Sequence, residues 1–290
     1  MSLSLLHSAE KEDCGIPMNE LNIVQLRKER LPKEIAAEAY SIIGHRKTQQ
    51  DFAGTFAGPD RVLAVLCDGM GGLMGGERAS REAAGMLLKD YETKQPSKNF
   101  ADFLCREAVR MDSRVHGLKS RDGRRLDAGT TAVAVVVSKD GTAEWMSVGD
   151  SRIYLLRGDS LKQLTRDQNY RCLLEDSLRK GEITQEHYDQ EIQGKMAEAL
   201  TSYLGMGNIK KIGRSRQGIA LKPGDQILLC SDGLYKSLSS DQIKAMLIDN
   251  QIDARVSVRR LADMALAKAV KKQDNTTVVL IQYHGRKTEE

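Results

Sequence analysis

The stretch TTAVAVVVSKDGTAEWMSVGDSRIYLLRGDSLKQLT (130–165) holds four short runs rich in β-branched and aromatic residues: TTAVAVVVS, TAEWMSV, RIYLLR and LKQLT. Between them stand Lys139-Asp140-Gly141, Gly149-Asp150-Ser151 and Arg157-Gly158-Asp159, each joining an acid to a glycine. Joints of this composition read as hairpin turns, so the spacing predicts an antiparallel meander. Upstream, LAVLCDGMGG (63–72) begins with an apolar run that shows no alternation, the pattern of a strand buried on both faces, and Asp68 sits where that strand ends. The three glycines that follow leave three readings open: a phosphate cradle, a metal site or a tight turn.

Working outward, AEAYSIIGHRKTQQDF (37–52) offers a strand over roughly 39–45 and a polar turn that ends in Asp51. GERASREAAGMLLKDY (76–91) has Ala79, Ala83, Met86 and Leu87 at helical spacing, with Glu77 placed to suit the helix dipole. A second amphipathic helix fits 99–118, with Phe100, Phe103, Leu104, Ala108, Met111 and Val115 on one face and Ser97 as its cap. From 167 to 204 the chain is helical, highly charged and without a wide apolar stripe, which places it on the surface. DQILLC (225–230) returns to a strand, followed by Ser231-Asp232-Gly233. Two helices follow, one over 239–250 capped by Ser239 or Ser240 and one over 253–270, and DNTTVVLIQY (274–283) closes as a strand. Strands that meander first and recur late, separated by helix pairs, disfavour a parallel βαβ winding. The expected fold is α+β, with two antiparallel sheets packed as a central sandwich flanked by helices on both sides.

Composition narrows the class. The 290 residues carry no Ser/Gly/Pro-rich linker and no fixed-period repeat, so one large core is expected over 35–290, preceded by a weakly patterned extension over 1–34. Net charge is +4 from 44 basic and 40 acidic residues without a dense basic block. With only four Phe and one Trp available for base stacking, nucleic-acid binding is disfavoured. The five cysteines (Cys14, Cys67, Cys105, Cys172 and Cys230) form no Cys-x-x-Cys pair, which argues for small buried hydrophobes in a reduced, cytoplasmic compartment. Neither a signal peptide nor a membrane span is expected.

Four carboxylates share one sequence environment: Asp51 before an apolar run, Asp68 after LAVLC, Asp232 after ILLCS and Asp274 before NTTVVLI. Singly, each reads as a turn former. The doublet Cys67-Asp68-Gly69 and Cys230-Ser231-Asp232-Gly233 repeats one arrangement, in which a buried strand gives way to acid and glycine. If strand ends gather these acids, their repulsion demands protons or cations. Oxygen donors without His or Cys select Mg²⁺ or Mn²⁺, and the Gly69 carbonyl can add another oxygen. Two such ions about 4 Å apart activate water against a phosphoryl group. A dinucleotide fingerprint starting at Gly69 would need glycine where Met74 stands, and no P-loop, nucleophile elbow or His-Glu-x-x-His occurs.

Five ordered motifs, GHRKTQQD (44–51), VLCDGMGG with GERAS (65–80), AGTTAV with SVGDSRIYLLR (128–157), LLCSDGL (228–234) and DNTTVVLI (274–281), resemble those of the type 2C metal-dependent protein serine/threonine phosphatases, in their bacterial form. The resemblance spans about 36–283. It implies that Asp68 bridges two Mn²⁺ or Mg²⁺ ions, that Gly69 adds its carbonyl, that Asp232 and Asp274 complete one ion, and that Asp51 ligates an ion or its water. It further implies that Arg46 binds the substrate phosphate, that Asp127 matches the acid of a third ion, and that 167–204 is a flap beside the site. The implied reaction is hydrolysis of phosphoserine and phosphothreonine in proteins by a hydroxide bridging the two ions, carried out by a monomer that opposes a serine/threonine kinase. Two departures stand out: Gln50 replaces a common Glu, and Met70 replaces the His that animal members offer as general acid. The alternative is an inactive phosphatase-like binding or regulatory module. Its mark would be a lost acid or arginine, and neither is lost.

Overall fold

In the computed structural model, residues 23–27, 31–71, 75–248, 253–269 and 272–285 are described. Cys14, most of the 1–34 extension and the Gly72 end of the glycine turn lie outside these residues.

The elements in chain order are β1 (Ile23–Arg27), β2 (Ile35–Ile42), β3 (Asp51–Ala57), β4 (Arg61–Met70), α1 (Gly75–Lys94) and α2 (Phe100–His116). Next come β5 (Gly129–Thr130), β6 (Ala132–Ser138), β7 (Thr142–Val148), β8 (Arg152–Arg157) and β9 (Ser160–Gln163). The chain continues through α3 (Tyr170–Arg179), α4 (Gln185–Glu191), a 3-10 turn (Lys195–Glu198), β10 (Gly213–Arg214), β11 (Ile219–Ala220) and β12 (Gln226–Cys230). It ends with α5 (Asp232–Tyr235), α6 (Ser240–Leu247), α7 (Ala254–Lys268) and β13 (Thr276–Tyr283).

One sheet runs β1-β3-β4-β6-β7-β10, with β5 on β4 and β11 on β7; the other runs β2-β13-β12-β8-β9. Every pairing is antiparallel except β1 with β3, so the expected sandwich holds with one parallel edge. That edge strand lies within the 1–34 stretch.

The uniform run 62–67 is explained by burial on both faces. Val62, Ala64 and Leu66 of β4 pack between the sheets against Ile153, Ile227 and Val279. Leu63, Val65 and Cys67 pack under α1 and α2, against Ala79, Leu87 and Leu104. A one-residue slip of β4 would exchange the two sets between cores of different shape, so the strand register is strongly specified. Behind the second sheet, Leu228, Cys230 and Leu280 meet Val258 and Leu261 of α7, completing the α-β-β-α layering.

Three local expectations are corrected. The strand expected at 39–45 is β2, which leaves the sheet at Ile42: its register with β13 ends at Ile42 opposite Thr276, and the His45 amide bonds the Gln273 carbonyl instead. The Ser97 cap is replaced by Asn99, in a left-handed conformation and without a side-chain cap bond. The Glu144 carboxylate of β7 instead accepts the Ala101 amide at 3.0 Å, satisfying one of the open donors of α2. The joint 149–151 is no hairpin. β7 stays in the first sheet, paired with β6, whereas β8 pairs with β12 in the second. The Gln168 side chain and backbone hold Gly149 from both sides at 3.0 Å, fixing the crossover between sheets. The Ser239 cap of α6 is present as a full capping box with Gln242.

Candidate active site at one rim of the sandwich

The strand registers bring the four sequence-distant acids to the same rim. Asp51 and Asp68 are direct register partners on β3 and β4. In the second sheet Cys230 pairs with Val278, so Asp232, two residues past the one, and Asp274, four before the other, leave from adjacent strands. The sheets are joined here by Ser231. Its hydroxyl donates to the Asp51 carboxylate at 2.8 Å and accepts the Thr277 amide at 3.0 Å.

The electrostatics record this convergence. Burial, and then the charges of Asp51, Asp232, Asp150 and Asp274, push the Asp68 carboxyl well up. Burial also pushes Asp51 up to about 7, against the lowering effect of the Ser231 and Thr277 hydroxyls. Cation partners accompany the acids. Arg46 pairs with Asp274, and its guanidinium is stabilised first by that bond and further by the charges of Asp232 and Asp68. Lys236 pairs with Asp232 at 2.6 Å.

Backbone bonds hold Asp68 rigidly. Its amide donates to Thr131 Oγ1 at 3.0 Å, and its carbonyl accepts from the Thr131 amide and Thr130 Oγ1, both at 2.8 Å. Gln50 joins three of the motifs: its carbonyl accepts from Gly69 and from Ser80 Oγ, its amide donates to Asn275 Oδ1, and its side chain donates to the Gly71 carbonyl at 3.2 Å. Gly69 and Gly233, the glycines of the doublet, are sites of close approach. A Cβ on Gly69 would lie 2.1 Å from the Gly76 carbonyl oxygen, and one on Gly233 would lie 2.2 Å from that of Asn275. Met70 offers packing alone, its methyl lying by Gly129 and Tyr203.

Asp127 is exposed, and its backbone carbonyl packs beneath Gly71, in the turn that follows Asp68. Cys67 and Cys230 are buried beside the acids, and burial pushes both thiols up, in keeping with a packing role.

The donors at the rim are carboxylates with a nearby glycine carbonyl, a hard oxygen set that fits Mg²⁺ or Mn²⁺ by chemistry. Among the described residues, no three His, Cys, Asp or Glu side chains are drawn close enough together to hold a metal ion as they stand. The acids stand within electrostatic reach of one another while Ser231, Arg46 and Lys236 each engage one of them.

Two carboxylates escaped the sequence reading. Asp150, at the crossover, is 6% exposed; burial and then the Asp232 charge push it up to about 6, and Tyr235 donates to it at 3.2 Å. The Tyr235 ring is itself covered by Arg152, 3.5 Å above it, which forks onto Asp167. Asp112 of α2, 2% exposed, accepts the amides of Gly205, Gly207 and Ile209 at 2.7–3.1 Å and so pins the exit of the 167–204 segment. The helices of that segment lie on the surface, as expected from its charge, whereas its ends are buried at Gln168, Asn169, Ser202 and Leu204. Its helix α4 buries nothing and α3 buries only Cys172 and Leu174.

Two stacked sheets with helices outside thus carry four aspartates and an arginine on one rim. The chain belongs to the protein phosphatase 2C family, whose profile matches residues 40–273. It is 28% identical over 243 residues to the serine/threonine phosphatase stp of Listeria welshimeri, covering 82% of this chain and 91% of that one. It is 27% identical over 255 residues to the protein phosphatase PhpP of Streptococcus pneumoniae, covering 85% and 97%. Among solved structures, the Mycobacterium tuberculosis serine/threonine phosphatase PstP/Ppp superimposes with a TM-score of 0.70 at 26% identity over 86% of this chain and 99% of that one. The catalytic domain of a PstP phosphatase in complex with two manganese ions does so with 0.67 at 28% identity, over 86% and 97%. The chain is thus a serine/threonine phosphatase by family and fold. Among the described residues no helix is long and apolar enough to cross a membrane.

Proposed function

We propose that this chain hydrolyses phosphoserine and phosphothreonine in proteins, using two Mn²⁺ or Mg²⁺ ions held by Asp51, Asp68, Asp232, Asp274 and the Gly69 carbonyl. The observation that carries this reading is the meeting of two aspartates from each sheet at one rim, with Arg46 paired to Asp274. Bound there, the ions would polarise a phosphoryl oxygen and bring a water molecule's pKa toward neutrality for in-line attack on phosphorus. The PstP structure with two manganese ions supports that count.

The chain's own residues supply position and charge. Thr130 and Thr131 fix the Asp68 backbone, and Ser231 orients Asp51 across the inter-sheet gap. Arg46 lies in the exposed loop before β3, where its planar fork can leave Asp274 for the substrate phosphate. We further propose one catalytic domain that takes in β1 together with 35–290, acting as a cytoplasmic monomer that opposes a serine/threonine kinase.

The test is turnover of an aryl phosphate and of a phosphopeptide with and without Mn²⁺. Metal-dependent release of phosphate from both is expected, and no turnover at any metal level overturns the proposal. Arg46→Ala is expected to raise KM for the phosphopeptide by about 10- to 100-fold, the loss of a hydrogen bond to a charged group, while Mn²⁺ affinity holds or improves. Arg46→Lys keeps the charge but not the fork and is expected to recover only part of the loss. Steady-state kinetics beside a manganese titration separates the two effects.

A further inference from the structure

Lys236 follows Asp232 by one helical turn, and both its backbone and its side chain close on that residue. Its amide donates to the Asp232 carbonyl at 2.9 Å and its ammonium lies 2.6 Å from Asp232 Oδ2. Two more carboxylates act on the same ammonium, those of Asp150 at the crossover and Glu198 in the 3-10 turn of the 167–204 segment. Asp150 is in turn held by the Tyr235 hydroxyl, so the group is set within the wall of the site. Arg46 differs, since it reaches Asp274 from an exposed loop, with a side chain 57% exposed.

We propose that the Lys236 ammonium is a built-in cation on Oδ2 of Asp232, taking a carboxylate oxygen that a third divalent ion would need, and so restricts this site to two ions. The inference rests on the two-ion reading given above. Charge supports it. Lys236 brings one positive charge to Asp232, Asp150 and Glu198, so a further divalent ion at Asp232 would meet a cation already in place. Asp127, the residue whose sequence position matches a third-ion acid, is exposed, whereas Lys236 is paired directly with Asp232. A monovalent ammonium held one turn from Asp232 by the chain itself needs no free metal to stay in place, and it repels a further divalent ion from the shared carboxylate.

The experiment is a Mn²⁺ titration of the full chain in which the electron paramagnetic resonance signal of free manganese counts the ions bound. Circular dichroism verifies folding of each variant. Wild type and Lys236→Arg are expected to saturate at two ions per chain. Lys236→Asp is expected to take up three, and Lys236→Gln, which removes the charge without adding an acid, is expected to reach three at the upper end of the titration. A third ion in the wild type, or no gain in either charge-removing variant, overturns the role of Lys236 and leaves the two-ion site intact. A wild-type chain that binds no manganese overturns both readings.

Discussion

Asp232→Asn is expected to lower kcat/KM for a phosphopeptide by more than about 100-fold while the protein stays folded. Groups that only orient a metal's ligands already cost about 10- to 100-fold when removed, and Asp232 is proposed as a direct ligand. The amide keeps the shape of the carboxylate and removes its charge. Stability is expected to move the other way. Asp232 contributes to the repulsion that raises Asp68, Asp51 and Asp150, and removing one of several mutually repelling carboxylates relieves the folded state. The ion pair lost with Lys236 is half-exposed on the lysine side and offsets little of that gain. Metal-free thermal unfolding is therefore expected to give a Tm for Asp232→Asn at or above that of the wild type. Wild-type turnover in this variant would reject the assignment, and a collapsed Tm would reject the electrostatic account.

Gly69→Ala is expected to be the costliest small substitution at the site. The added methyl would meet the Gly76 oxygen at 2.1 Å and the Gln50 oxygen at 2.6 Å, both of them backbone atoms that no rotamer change can move. Overpacking costs about 1–3 kcal/mol when side chains can adjust, so a backbone clash belongs at the upper end. At roughly 2–4 °C per kcal/mol for a domain of this size class, Tm is expected to fall by on the order of 10 °C. Activity should fall with it, because the Gly69 amide bonds Gln50 and the residue is continuous with Asp68. Gly85→Ala supplies the contrast: it lies within α1, where an added methyl would meet no heavy atom within 4 Å, and it is expected to stabilise by about 0.5–1 kcal/mol. Calorimetry on the two variants side by side checks both signs. Equal effects would show that close packing, as read from Gly69, does not govern this turn.

Much of this site is readable in one dimension. The uniform burial of 62–67 follows from the absence of alternation, and Asp51, Asp68, Asp232 and Asp274 all occur where apolar runs meet turn residues. Joint 149–151 misleads because its acid and glycine fit a hairpin as well as a crossover. The choice is made by Gln168, almost twenty residues further on, and by the pairing of β8 with β12. Asp150 and Asp112 carry no signal of their own. The partner of the first is 85 residues away, and the nearest of the second's is 93 residues away, so nothing within a local window distinguishes either from a turn or helix-surface acid.

The strands, the helices with their apolar stripes and the chemistry of the acid–glycine turns follow from the linear order of residues, because they depend on periodicity and backbone preference within a few positions. Three dimensions were needed to settle which sheet each strand joins, that two acids from each sheet share one rim, and that Arg46, Ser231 and Lys236 are their partners. Coulomb forces and hydrogen bonds act over a few ångströms of space, and only the register of the sheets sets which distant residues come within that range.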